Sequence, residues 1–344
     1  MSYDKGVDFW ALKEDLNVMY QYFIGRLNIL VVQALFLLRL SWMIGEFAAL
    51  GSALCWTFSA VLYRKALAYT KPVSANVVRC AGTSLILVLV FALIGKIHVF
   101  ASLPPSVVFL AAVSGVIGLG LGDTLYMKSL EILGVARAVP VTCTYPLFSL
   151  VWAYLLAGEV ITLPVFLRVV AIVFGIWLLT SSGEKHHSVN GDKGQKRVWI
   201  RGFVFALATA IAWSVSISMI NLAVKAASGL EQAYAINTFR ILAVAVFLTA
   251  LAAPMSKVKN SIRKMTGKTA AMLLTGGLIA IGLGWFLLTL SFIYIPESQA
   301  VPISSTTPLF SAFFGVIFLR ERVTARIVLG SAMVVAGIFL VFMI

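Results

Sequence analysis

Apolar residues gather along this chain in long blocks that stop at charges, prolines and glycines. A helix needs about 20 mainly apolar residues to cross a bilayer. Ten blocks meet that length, at about 46–63, 75–95, 106–127, 136–157, 163–182, 202–222, 235–253, 269–290, 298–319 and 326–344. The connections are short and polar, the longest lying around 183–201 and 254–268. Little chain remains for a soluble domain, so the expected fold is an all-α polytopic membrane protein of ten transmembrane helices.

Composition points the same way. The chain is 61% hydrophobic and 12% charged, where soluble domains average about 45–50% and about 25%. Cys55, Cys80 and Cys143 all fall inside expected spans with no paired or metal-like spacing, which reads as packing rather than chemistry. His98, His186 and His187 lie in or beside loops. With no GxSxG, HExxH or P-loop pattern, neither an enzyme nor an ATP-driven pump is expected, and no cofactor or metal.

The blocks are not independent of one another. Residues 139–149 read VPVTCTYPLFS and residues 301–311 read VPISSTTPLFS. Shifting the chain by 162 positions aligns Gly115–Leu179 with Gly277–Val341 without a gap. Gly115, Gly120 and Gly122 meet Gly277, Gly282 and Gly284; Pro140 and Pro146 meet Pro302 and Pro308; Glu159 meets Glu321. Upstream, ALCWTFS at 53–59 resembles AIAWSVS at 210–216, and NVVR at 76–79 resembles NTFR at 237–240. Two repeats of five helices follow, over 46–182 and 202–344, joined by a basic linker over 183–201. Because five is odd, the second repeat starts on the opposite face from the first. Inverted repeats of this kind build transporter sites at the midplane.

These features together resemble the EamA repeat of the drug/metabolite transporter superfamily. Its marks here are Trp56 and Trp213 in alanine-rich helices, Arg79 and Arg240 early in the next helix, the PLFS motif, and the turns holding Glu159 and Glu321. The resemblance covers about 46–344. It implies ten helices around a central cavity, with the fifth and tenth outside the core and available for a homodimer contact. It does not fix the solute, since the family carries amino acids, sugars, nucleotide derivatives and drugs. Residues 1–45 lie outside it, and three readings stay open: a short extra helix, an amphipathic surface segment, or sequence upstream of a true start at Met43.

Positive charge sets an orientation. Arg64, Lys65, Lys71, Lys193, Lys196, Arg197, Lys257, Lys259, Arg263, Lys264, Arg320 and Arg322 all lie in odd-numbered connections, whereas the even ones carry only Lys96 and Lys225. Positive residues favour the cytoplasm, so the odd loops of this cell-membrane protein are expected inside and the C-terminus outside. The net charge of +14 is then largely that inner face, touching anionic lipid, and calls for no nucleic acid.

An ionisable residue inside a span is a functional candidate by default. Asp123 is the sharpest, since Trp285 takes its place in the repeat. It reads either as a proton or cation site, or as an acid that faces water or pairs with Lys128 one turn on. Arg79 and Arg240 read as lipid-snorkelling or helix-capping residues, or as anion receptors helped by Asn76 and Asn237. Pro140, Pro146, Pro302 and Pro308 each remove a backbone hydrogen bond, and Thr144, Thr306 and neighbouring hydroxyls can answer the freed carbonyls. The helix pair is expected either to bend or simply to pack with a kink. Trp56, Trp213, Tyr126 and Tyr145 are candidate cavity walls, with ordinary packing as the alternative.

The expected function is a secondary transporter that moves a small metabolite or amphipathic solute by alternating access, with export as the family's direction and a proton gradient, a solute gradient or downhill flow as the open alternatives for its drive. The alternative is a carrier or flippase for a phosphorylated or lipid-linked substrate, using Arg79 and Arg240. A scaffold or sensor has no need of two equivalent gates.

Overall fold

A computed structural model describes residues 43–59, 62–63, 65–133, 138, 141–180 and 193–310, with isolated positions between 329 and 336. The extension before residue 43, Pro140, most of the linker and nearly all of the tenth expected span fall outside the described residues. From Gly45 onward the chain forms one compact unit.

Among the described residues every regular element is helical. In chain order they are α1 (43–59), α2 (Pro72–Leu93), α3 (His98–Ser102), α4 (Pro105–Gly115), α5 (Asp123–Leu133), α6 (Tyr145–Ala157), α7 (Leu163–Thr180), α8 (Lys193–Ala226), α9 (Leu230–Ala252), α10 (Ser256–Arg263), α11 (Gly267–Gly277), α12 (Trp285–Tyr294) and α13 (Glu297–Ser304). Among the described residues five stretches are long and apolar enough to span a membrane: Pro72–Leu93, Pro105–Ser129, Val198–Ala226, Leu230–Ala252 and Gly267–Tyr294. Tyr145–Leu156 and Leu163–Gly175 are shorter apolar helices.

The bundle carries apolar side chains on its outside as well as in its core, and buries polar ones among them. Leu85, Leu93, Phe109, Tyr154, Leu155 and Val246 are exposed on the spans, while Asn76, Arg79, Thr83, Ser114, Ser216, Asn221, Asn237, Arg240 and Glu297 are buried. Hydrocarbon outside and polar groups inside is the arrangement a bilayer selects, because lipid can satisfy no hydrogen bond.

Local sequence explains where the helices start and break. Pro72 and Pro105 sit in the first turn of α2 and α4, where a missing N–H costs nothing. The glycine-rich runs VIGLGLG and LIAIGLG wind as π-helix, over Val116–Gly122 and Leu278–Gly284, joining α4 to α5 and α11 to α12. A π-turn inside an α-helix leaves carbonyls free for other partners, and such turns concentrate at functional sites. The helices also break at two matching places, the turns at 143–144 and 305–306. Pro146 therefore sits in the first turn of α6 rather than kinking it, whereas Pro302 lies in the interior of α13.

The connections meet in two sets. Thr70 and Ser261 hydroxyls lie 3.3 Å apart, and the Ser74 hydroxyl donates to the Val258 carbonyl. Elsewhere Lys96 pairs with Glu231 at 2.9 Å, and Lys225 lies 3.4 Å from Glu159. Counted along the expected spans, odd-numbered connections touch odd ones and even touch even.

Candidate functional site

The centre of the bundle is built twice, from residues 162 positions apart or nearly so. α2 and α9 pack side by side, and each crosses the glycine-rich helix carried by the other end of the chain. A Cβ on Gly115 would collide with the Arg240 backbone, and one on Gly277 would press on the Arg79 carbonyl and the Thr83 hydroxyl. Only glycine allows those crossings. Trp213 lies against Gly122 in the same way that Trp56 lies against Gly284.

Polar bonds repeat too, the asparagines bonding within their own half of the chain. The Asn76 amide donates to the Leu119 carbonyl at 3.0 Å. The Asn237 amide donates to the Ile281 and Gly282 carbonyls at 3.1 and 3.0 Å. Each asparagine thus answers carbonyls loosened by a π-turn. The Trp56 indole donates to the Ala280 carbonyl at 3.2 Å.

The equivalence then fails at one point. Asp123, 9% exposed, opens α5 just after the π-turn. It forms a short ion pair with Arg79 and accepts the Trp213 indole N–H at 2.9 Å. Arg79, 4% exposed, also donates through Nε and Nη2 to Asn76 Oδ1 at 3.1 and 2.6 Å, and its guanidinium lies 4.9 Å from the Tyr63 ring centroid. The four side chains Asn76, Arg79, Asp123 and Trp213 form one buried network.

At the second place Trp285 stands where the acid would be. Arg240, fully buried, stacks over the Trp285 ring at 3.6 Å. It donates from Nε to Ser114 Oγ at 3.0 Å and from Nη2 to Ser216 Oγ at 2.9 Å. Ser114 and Ser216 hydroxyls also lie 3.0 Å apart. Among the described residues neither Arg240 Nη1 nor Asn237 Oδ1 has a partner.

The placement corrects two expectations. Arg79 and Arg240 do not snorkel to a lipid phosphate: a glycine crossing pins each beside its partners in the middle of the bundle. Asp123 pairs with Arg79, not Lys128; the lysine is exposed, 6.0 Å from the Phe205 ring.

Of the expected aromatic walls, three converge. Tyr126 and Tyr145 approach Trp213 at 5.1 and 6.1 Å between ring centroids, and Trp56 meets Trp285 at 5.2 Å. Thr144 and Thr306 stay outside the charged network. Their hydroxyls answer the Val141 and Ile303 carbonyls, at 2.7 and 2.8 Å, in the two helix breaks.

A second polar cluster was not expected from sequence. Glu297, fully buried at the start of α13, accepts a short bond from the Ser218 hydroxyl and one of 3.0 Å from the Asn221 amide. Glu159 reaches the same helix start, accepting the backbone N–H groups of Glu297 and Ser298 at 3.0 and 3.1 Å. Gly158, with φ of 66°, ends α6 in the left-handed conformation that turns Glu159 that way. The signal for Glu297 is its lack of an acidic counterpart in the repeat, where Val135 stands.

The chain is similar to known proteins in sequence and in fold. The sequence profile of the EamA-like transporter family matches twice, over residues 43–181 and 200–343. An uncharacterized transporter of Archaeoglobus fulgidus is 24% identical over 296 residues, which cover 86% of this chain and 96% of the relative. A crystal structure whose description names no activity has a TM-score of 0.68 at 15% identity, covering 86% of this chain and 95% of its own. That likeness bears on the fold.

Proposed function

The chain belongs to the EamA-like transporter family, and from that premise we propose a secondary transporter that carries a small metabolite or amphipathic solute by alternating access. Ten spans in two inverted five-helix repeats, over 46–182 and 202–344, are the frame of this reading. The twofold family match and the odd-with-odd pairing of connections support it. The basic odd loops face the cytoplasm, and export is the direction.

One observation carries the mechanism: a tryptophan from the other repeat bonds at each π-turn, Trp56 to the Ala280 carbonyl inside one and Trp213 to Asp123 just after the other. These are contacts that a rocking motion between repeats would make and break. Asp123 is the coupling residue. While ionised it holds both Arg79 and Trp213; a proton on it weakens both bonds and loosens the contact between repeats. Tyr126 and Tyr145 extend the Trp213 face toward an apolar solute, and the breaks near Pro146 and Pro308 give the helices freedom to bend.

Thermal unfolding of the detergent-purified protein against amino acids, nucleosides, sugar phosphates and cationic drugs, at two pH values, tests the reading. A ligand of the folded state raises the melting temperature with its occupancy. The expected outcome is a stabilising solute whose effect changes with pH in the wild type and no longer does so in Asp123→Asn. A pH dependence that survives that substitution would remove Asp123 from the coupling.

A further inference from the structure

The two buried arginines differ in their electrostatic balance. Arg79 has Asn76 and a carboxylate; Arg240 has two hydroxyls and an indole face, and among the described residues no acid lies within ion-pair distance of it. A guanidinium cannot shed its proton in a protein, so the charge persists. Burying it is costly, and a desolvated cation–π contact returns only part of that cost. Serine hydroxyls return less than a carboxylate, because neither carries charge. Among the described residues its Nη1 N–H groups also lack an acceptor. A water molecule could accept those bonds but could not balance the charge.

We propose that Arg240 is the anion receptor of this transporter and takes a carboxylate or phosphate group of the carried solute. Nη1 offers the first donors, and the fork of a guanidinium matches the two oxygens of either group. Ser114, Ser216 and Trp285 hold the guanidinium in place, and the unpartnered Asn237 Oδ1, three residues earlier on α9, is available to a donor on the same solute. Arg79 takes no part, because Asp123 already neutralises it. The division of labour follows from a single replacement between repeats: the acid at 123 makes a self-contained pair, and the tryptophan at 285 leaves a cation to be completed by cargo. The assignment of the anion to cargo rests on the transporter reading; the site itself does not.

The test is thermal unfolding in zwitterionic buffer without added salt, with acetate, inorganic phosphate or chloride as probes at equal ionic strength. Acetate or phosphate is expected to raise the wild-type melting temperature saturably and beyond chloride. R240Q is expected to fold, because it removes an uncompensated buried charge, and to lose the effect. W285D supplies an internal carboxylate at the position equivalent to Asp123 and is also expected to lose it. R240K keeps the charge without the fork and is expected to bind with weaker apparent affinity, so it decides the matter if R240Q does not fold. The proposal is overturned if no probe stabilises the wild type, if chloride does as well as the oxyanions, or if R240Q or R240K responds as the wild type does. Oxyanion binding without flux in proteoliposomes would sink the transporter reading and spare the site; flux without an oxyanion effect would do the reverse.

Discussion

Asp123 and Arg79 hold one another inside an apolar bundle, and neither can be removed alone without leaving a buried charge. Asp123→Asn is therefore expected to destabilise the protein by roughly 3–5 kcal/mol, the range for breaking one partner of a buried pair. Removing both charges, in Arg79→Gln with Asp123→Asn, is expected to recover most of that loss. A double-mutant cycle on melting temperatures reads the coupling directly; additive effects would mean the pair is not coupled. At this scale the sequence spoke unevenly. Asp123 was legible as a lone acid in an apolar run. Its partner was not, because 44 positions separate it from Arg79 and Lys128 stands closer along the helix. Glu297 was missed because an acid beside Pro296 at a helix start is ordinary on a surface. Its burial comes from Ser218 and Asn221 on α8, which no local pattern announces.

The helices owe their arrangement to where they can approach closely. Gly277→Val is expected to force α11 away from α2, since even a Cβ there meets Thr83 and Arg79. Overpacking of this kind costs about 1–3 kcal/mol, read as a lower melting temperature and a lower folded yield. Gly267→Ala serves as the control, because nothing lies within 4 Å of its Cβ; that change should be neutral or slightly stabilising. Equal losses at both positions would deny the crossing its importance. The end of α6 bears a separate expectation. Glu159→Ala removes both acceptors from the start of α13 and should cost about 1–2 kcal/mol, as lost helix caps do, whereas Glu159→Asp should restore part of it. The spans and the doubled glycine runs were plain in the sequence, since hydrophobic length and self-similarity are local properties. The π-winding of those runs was not, because it depends on asparagine and tryptophan donors that arrive from elsewhere in the chain. The prolines announced a bend, but not that the chain would turn at 143–144 and 305–306, where the Thr144 and Thr306 hydroxyls answer the freed carbonyls.

For the whole molecule, orientation and motion are the claims at stake. Exposed Lys259 lies in an odd connection and exposed His98 in an even one. A cysteine at His98 should react in intact cells with a membrane-impermeant maleimide, and one at Lys259 only after permeabilisation. The reverse pattern would invert the protein in the membrane and leave its interior unchanged. The central claim is that this bundle carries a solute and that the Asp123 network couples its two repeats. It is tested most directly by counterflow in proteoliposomes, using the solute that stabilises the purified protein. Saturable uptake by the wild type, dependent on pH and losing that dependence in Asp123→Asn, is the result expected. Uptake no greater than in protein-free liposomes, for a solute that binds, would contradict the account.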